Sequence, residues 1–165
     1  MTEQFFDTYE THKLQPAYRP VKVGAFWGAE WTVQEAPNLA INFDALEKRA
    51  QEDPFAQQFT TIYAQTNSEN IYRFQLAKSK MGLPYWEITS GRDNSRTTLG
   101  RHCPLATGLQ FAFYAADDSY ETRIITTNYI TRIVLVSNGA APAGTPQTDI
   151  LTKFYDLPGQ QQNIV

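Results

Sequence analysis

The strongest constraint on the fold is a stretch of β-branched residues in the carboxyl-terminal third of the chain. Residues 122–127 and 129–136 are rich in Ile, Val and Thr, and Asn128 separates them. β-Branched side chains favour strands because they pack well on a pleated surface. The stretch therefore predicts two strands with a turn or bulge at Asn128.

Other segments also carry strand patterns. Apolar and polar residues alternate with a period of two over residues 21–34, which predicts one strand in which Gly24 and Gly28 indicate bulges or a bend. Residues 85–89 and 109–115 predict two more strands.

Turn chemistry marks the gaps between these strands. Asp117, Asp118 and Ser119 follow the segment that ends at residue 115, and they favour a tight turn. Residues 90–100 are polar and predict a loop.

The middle of the chain predicts one short helix and then an ambiguous region, 55–81. Phe43, Leu46 and Ala50 fall on one helical face after the potential cap Asn42, and the helix should end before Pro54. Pro54 could open a second helix, with apolar residues spaced for one face. Residues 59–65 and 71–77 read equally as a hairpin, which we prefer because β-branched and aromatic residues dominate both halves.

Together these segments predict a mainly β, β-rich α+β fold. The expected form is an antiparallel sandwich or barrel with one or two short helices and extended N- and C-terminal arms. A chain of 165 residues is long enough for a single domain to bury roughly 70% of its unfolded surface. Its ten Phe, nine Tyr and three Trp predict an aromatic core.

Composition divides the chain into three parts. Residues 1–20 mix charges with isolated aromatic residues and two prolines, which predicts an extended arm. Residues 21–138 hold the strand patterns and form the predicted globular body. Residues 139–165 are enriched in Gly, Pro and Gln, as expected of a tail.

Charge and cysteine content exclude several classes of protein. The net charge is −3, so no overall positive field would attract nucleic acid, and we do not expect a nucleic-acid partner. Cys103 is the only cysteine, so no internal disulfide can form. No apolar run approaches the 18 to 20 residues of a membrane helix and no signal peptide is evident, which predicts a soluble protein of the cytoplasm or of a virion, without a membrane partner.

No catalytic, cofactor or metal site is predicted. His102 precedes Cys103, but neighbours in an extended segment point to opposite sides, so we expect a buried, inert thiol. Two histidines and one cysteine lack the spacing of a zinc site. Asp117, Asp118 and Glu121 are read as a hairpin turn rather than a calcium site.

Two groups of residues are candidates for contacts with other chains. Arg92, Arg96 and Arg101 follow Lys78 and Lys80, and this basic stretch is either a solvated loop or an electrostatic docking patch. The second group consists of aromatic residues in or next to the arms: Phe5, Phe6, Tyr9, Tyr18, Phe154 and Tyr155.

The sequence favours a non-enzymatic structural subunit of a larger assembly, for instance a phage head, neck or tail protein. Its arms would contact like or unlike chains, and a homo-oligomer is expected. One alternative is a β-barrel or sandwich that binds a glycan or small ligand through Trp27, Trp31 and Trp86, although we favour core positions for the first two. A second alternative is a hydrolase that uses Cys103.

Overall fold

The structure is a computed structural model that describes residues 18–32, 43–67, 70–103, 105, 109–125 and 129–155, except for the side chains of residues 45 and 155. The strands in these ranges are β1 (Arg19–Val23), β2 (Phe26–Trp31), β3 (Phe59–Thr66), β4 (Ile71–Lys78), β5 (Pro84–Ser90), β6 (Arg96–Gly100), β7 (Leu109–Tyr114), β8 (Tyr120–Ile125) and β9 (Ile130–Ala140). The helices there are α1 (Phe43–Ala50) and α2 (Ile150–Tyr155).

All nine strands belong to one antiparallel sheet in the order β1-β2-β9-β3-β4-β5-β6-β7-β8. From β3 to β8 each strand pairs with the next one in the chain. By contrast, β9 inserts between β2 and β3. The predicted mainly β, antiparallel fold with few helices is confirmed.

The sheet curls over between its middle strands and the β7–β8 hairpin. Tyr72 on β4 and Phe113 on β7 have ring centroids 5.7 Å apart, although β5 and β6 lie between their strands. Three steps across a flat sheet would separate these backbones by roughly 14 Å. The β6–β7 pairing is short, with only Arg96 and Tyr114 in register. The sheet is therefore curved, so that side chains of β4 and β7 meet on its inner face.

The inner face of the curled sheet carries the main hydrophobic core. α1 packs against it through Phe43, whose ring centroid lies 5.1 Å from that of Phe74 and 6.3 Å from that of Trp86. The largest fully buried side chains of this core are Trp27, Phe59, Phe74, Trp86, Phe113, Ile62, Ile88, Leu105, Ile125 and Ile130.

The opposite, outer face is covered in part by α2. Phe154 is fully buried there, 5.8 Å from the ring of Tyr63 and 5.0 Å from the guanidinium carbon of Arg73. This smaller core also contains Val21, Val23, Ile71, Val134, Val136 and Ile150. It involves β1, β3, β4 and β9, so the outer face of the β7–β8 hairpin is not part of it.

Two predictions for the middle of the chain are confirmed. α1 begins at Phe43 and buries Phe43, Leu46 and Ala50 on one face, as their spacing predicts. The region 55–81 forms the β3–β4 hairpin rather than a second helix. The proposed cap Asn42 lies outside the described residues.

Two local predictions are wrong. Residues 21–34 do not form one strand, because the chain reverses at Gly24, which adopts a φ of +63°, and β2 folds back on β1. The polar stretch 90–100 is not one loop, since residues 96–100 form β6 and pair with β5.

The division into arm, body and tail stays a prediction. Residues 1–17 and 156–165 lie outside the described residues. Arg19 and Pro20, assigned to the arm, belong to β1, and residues 139–155, assigned to the tail, include the end of β9 and all of α2.

Candidate protein-interaction surface

The β7–β8 hairpin presents an exposed, largely apolar outer face. Tyr114, Tyr120 and Ile124 are 51%, 64% and 61% exposed, respectively. Tyr114 lies opposite Tyr120 in the register, and their ring centroids are 5.4 Å apart. Ala112 lies opposite Thr122, so small side chains separate the tyrosine pair from Ile124. Large exposed apolar side chains that lie together on a sheet are typical of a contact surface.

β8 is also an edge strand, and no described strand pairs with its outer side. Ala115 donates its backbone N–H to the carbonyl of Ser119 at 2.8 Å, at the closed end of the hairpin. Hydrogen-bonded pairs alternate along an antiparallel ladder, so the backbone groups of Tyr120, Thr122 and Ile124 are directed away from β7. The residues with exposed outer side chains are therefore also those whose N–H and C=O groups face the open edge.

The other edge of the sheet is covered by the chain itself. Lys22 on β1 donates its backbone N–H to the carbonyl of Pro146 at 2.7 Å, and the N–H of Thr148 bonds the carbonyl of Lys22 at 3.0 Å. A parallel bridge joins Lys22 to Gln147. Within the described residues the two edges thus differ, because only β1 has a covering segment.

This covering segment is held by hydrogen-bonded side chains that line a cleft of about 370 Å³ beside β1. Glu30, which is 4% exposed, accepts hydrogen bonds from Arg19, from Arg132 at 3.3 Å and from Thr148 at 3.2 Å. Arg132 also donates to Asp149 at 2.8 Å. Since the charges in this cleft are paired with each other, the network attaches residues 146–149 to the sheet.

The inner face of β8 has a different character, because it carries an ion pair. Arg123 lies 5.1 Å from the ring centroid of Phe113 and bonds Asp93, in the turn between β5 and β6. It also donates to Ser95 at 3.0 Å and to Glu121 at 3.3 Å. Partial burial alone would raise the pKa of Asp93, but the hydrogen bonds from Arg123 and Ser95 and the charge of Arg123 lower it to about 2.

The predicted arginine patch is divided by the structure. Arg92 and Arg96 are exposed, and Arg96 lies directly across from Tyr114. Residues opposite each other in a ladder project from the same face, so Arg96, Tyr114 and Tyr120 form one row across β6, β7 and β8. Arg96 therefore borders the exposed surface of the hairpin, whereas Arg92 lies in the turn between β5 and β6.

Arg101 does not belong to that surface, because it joins α1 to the sheet. Its guanidinium lies 5.0 Å from the ring centroid of Trp86, bonds Asp44 and donates to Glu47 at 2.9 Å. His102 is 2.8 Å from Asp44 through Nδ1. Burial raises the pKa of Glu47 to about 7, although the charge of Arg101 lowers it in part.

The aromatic candidates do not form one site in the described structure. Tyr18 packs edge-on against Trp27 and Trp31, with centroids at 5.8 and 5.4 Å, while Phe154 lies on α2 and is buried against the outer face of the sheet. The side chains of the other aromatic candidates lie outside the described part of the chain: Phe5, Phe6, Tyr9 and Tyr155.

The structure places the residues on which the two alternative functions, ligand binding and hydrolysis, depend. Trp27 and Trp31 are buried in the core, as expected, and Trp86 is also buried, so the three rings are not at the surface where a glycan could stack. The prediction of a buried thiol is wrong, since Cys103 is exposed in the turn that follows β6.

In the part of the chain that the structure describes, no three His, Cys, Asp or Glu residues are grouped to hold a metal ion. No helix of the described ranges is long and apolar enough to cross a membrane.

The sequence-based candidates omitted Tyr114, Tyr120 and Ile124. Their signal is visible in the sequence, because β7 and β8 carry large apolar residues at both odd-numbered and even-numbered positions. Phe111, Phe113 and Ile125 fill one face of the hairpin, so the other apolar residues must lie on the opposite face.

Comparison of the chain with protein-family models, with curated proteins and with solved structures found no match.

Proposed function

We propose that this protein is a non-enzymatic structural subunit of a larger protein assembly. It contacts a neighbouring protein chain through the β8 edge and the outer face of the β7–β8 hairpin. The observation that carries the proposal is the open β8 edge, which has exposed Tyr120 and Ile124 side chains beside it.

An open edge strand is a template for another strand, since its unpaired N–H and C=O groups can extend the sheet. Many proteins discourage this pairing with proline, lysine, an inward-pointing charge or a bulge on the edge. β8 contains no proline, glycine or lysine, and its register with β7 is continuous over six pairs. Its inward-pointing charge, Arg123, is paired with Asp93 of the same chain. The strand therefore supports pairing with a further strand.

The setting that we propose is a virion head, neck or tail. Support comes from the low charged fraction of 19% together with the aromatic content of 13%, a composition suited to a protein whose surface is mostly in contact with other proteins. We also propose that the terminal segments contact neighbouring subunits. Their polar composition, with isolated aromatic residues in the first ten positions, supports this part of the proposal.

The mass of the purified full chain tests the proposal. Multi-angle light scattering after size exclusion, at concentrations from about 1 to about 100 µM, should detect species above the 18.7 kDa of one chain. Thr122→Pro should reduce the mass to that of one chain. Its N–H faces the open edge, so proline at this position removes an edge donor but no bond to β7.

Thr122→Val is the matched control, because it keeps the N–H and a β-branched side chain. This variant should associate as the parent chain does. A single 18.7 kDa species at every concentration, for the parent chain and both variants, would contradict the proposal.

A further inference from the structure

We infer that the partner on the β8 edge is β8 of a second copy of this chain, paired antiparallel about a two-fold axis through Thr122. This inference rests on the proposed function, because it names the occupant of the same edge. In this arrangement β8 is complementary to itself.

The geometry of the edge limits the registers that two β8 strands can adopt. Only Tyr120, Thr122 and Ile124 direct their backbone groups outward, and such a residue must pair with another outward-directed residue. Two-fold axes midway between neighbouring residues are therefore excluded without a bulge. The registers that keep most of the strand paired are centred on Glu121, Thr122 or Arg123.

The register centred on Thr122 makes every pair complementary. Tyr120 of each copy faces Ile124 of the other, Glu121 faces Arg123, and Thr122 faces its own equivalent. Aromatic with β-branched, threonine with threonine, and opposite charges are all favourable cross-strand pairs. The three outward residues of each copy would exchange both of their backbone hydrogen bonds.

The other two registers place like charges opposite each other. Centring on Glu121 brings two glutamates together, and centring on Arg123 brings two arginines together; both arrangements are unfavourable. The pattern of charges along β8 thus selects the Thr122 register and opposes a shift in either direction.

The side chains are in position for this pairing. Glu121 is 74% exposed, whereas Arg123 is 18% exposed and held by Asp93. The arginine is therefore fixed, and the exposed glutamate, which accepts a hydrogen bond from Arg123 of its own chain at 3.3 Å, would exchange that bond for one from the arginine of the second copy. The two outer faces also align, which places Ile124 of one copy beside the Tyr114–Tyr120 pair of the other.

Disulfide trapping of cysteine variants tests the register. The experiment uses the full chain with Cys103→Ser, because Cys103 is exposed. Hydrogen-bonded cross-strand pairs have Cα atoms about 5.5 Å apart, within the range that a disulfide spans. Thr122→Cys should therefore form a covalent dimer under mild oxidation. Gln110→Cys, on the exposed face of β7 one strand inside the edge, should not.

A mixed experiment makes the register explicit. Tyr120→Cys alone and Ile124→Cys alone should give little covalent dimer, whereas an equimolar mixture of the two should give a heterodimer. Glu121→Arg should weaken association about tenfold, because two favourable charge pairs become repulsive. Glu52→Arg, an exposed change in the loop after α1, should not weaken it.

The outcomes separate this inference from the proposed function. If the chain associates and Thr122→Pro prevents it, but Thr122→Cys and the mixture give no covalent dimer, the second-copy register is wrong and the assembly role stands. If the chain associates and Thr122→Pro has no effect, the β8 edge is wrong as the contact. If the chain does not associate at any concentration, both proposals fail.

Discussion

The rings of Tyr72 and Phe113 meet at 5.7 Å, although their strands are separated by two others in the sheet. This contact joins the β7–β8 hairpin to the middle strands across the inner face of the curved sheet. Phe113 is 1% exposed and packs on the inner face. An aromatic contact in the core therefore links the hairpin that carries the interaction surface to the middle of the sheet.

Phe113→Ala should lower the free energy of unfolding by about 3 to 5 kcal/mol, the usual cost of removing a buried phenylalanine ring. Urea denaturation followed by tryptophan fluorescence measures this change. Gln110→Ala on the same strand is exposed and should change stability by less than about 0.5 kcal/mol. Equal effects of the two changes would contradict the burial of Phe113 in the core.

Gly139→Ala should also destabilise the fold, by at least about 1 kcal/mol, because it overpacks a close backbone contact. A Cβ at Gly139 would lie 2.3 Å from the carbonyl oxygen of Phe55, and backbone cannot move aside easily. Gly100→Ala is the control, since a Cβ there would meet only the Cβ of Cys103 at an ordinary 3.7 Å. Thermal unfolding of both variants distinguishes the sites, and an unchanged midpoint for Gly139→Ala would contradict the contact.

Glu47→Gln should remove a pH dependence of stability between about 4.5 and 7. Burial raises the pKa of Glu47 from 4.5 to about 7 in the folded chain. Between these values the folded chain holds a proton that the unfolded chain has released, so the free energy of unfolding falls as the pH rises and levels off above 7. The total loss is on the order of 3 kcal/mol.

Urea denaturation at a series of pH values from 4 to 8 gives this slope for the parent chain and for the variant. The difference between the two curves isolates Glu47 from other titrating groups. Glu52→Gln is the control, because Glu52 is exposed. A parent curve that is flat in this range would contradict the raised pKa of Glu47.

Asp93→Asn should remove a stabilisation that appears only above strongly acidic pH. The pKa of Asp93 is lowered from 3.8 to about 2 in the fold, so its contribution is complete above 3.8 and disappears as the pH falls through 2. Asp93 and Arg123 are 42% and 18% exposed, so screening keeps the effect below about 1 kcal/mol. Acid titration of the parent chain and Asp93→Asn, monitored by circular dichroism, should give curves that converge near pH 2.

Local patterns account for the elements that could be predicted. Phe43, Leu46 and Ala50 repeat at helical spacing and form the buried face of α1. The β-branched and aromatic halves of the β3–β4 hairpin are separated by a short polar segment in the sequence, and the two halves pair with each other.

The sequence pattern does not indicate the β1–β2 reversal, for a physical reason. Its turn contains two residues, Gly24 and Ala25, so the alternation of buried residues continues through it without a change of parity. The buried side chains of β1 and β2 nevertheless lie on opposite faces of the sheet. Val21 and Val23 pack under α2 on the outer face, whereas Trp27 belongs to the inner core. A period of two cannot distinguish this arrangement from one long strand.

Long-range pairing accounts for the rest of what could not be predicted. The insertion of β9 between β2 and β3 joins residues about a hundred positions apart, as in the pairing of Ala29 with Leu135. The exposure of β8 is a consequence of that order, because β9 pairs with strands at the other side of the sheet and leaves β8 at the edge. No local pattern in residues 120–125 specifies this.

Hydrogen exchange at the backbone amide of Thr122 tests the central claim most directly. Residue-resolved NMR of the full chain should show an amide that exchanges rapidly in dilute solution and becomes protected as concentration rises, in parallel with the measured mass. The amide of Arg123, bonded to β7, should be protected throughout. Rapid exchange at Thr122 at all concentrations, even where the mass exceeds one chain, would contradict the β8 edge as the contact.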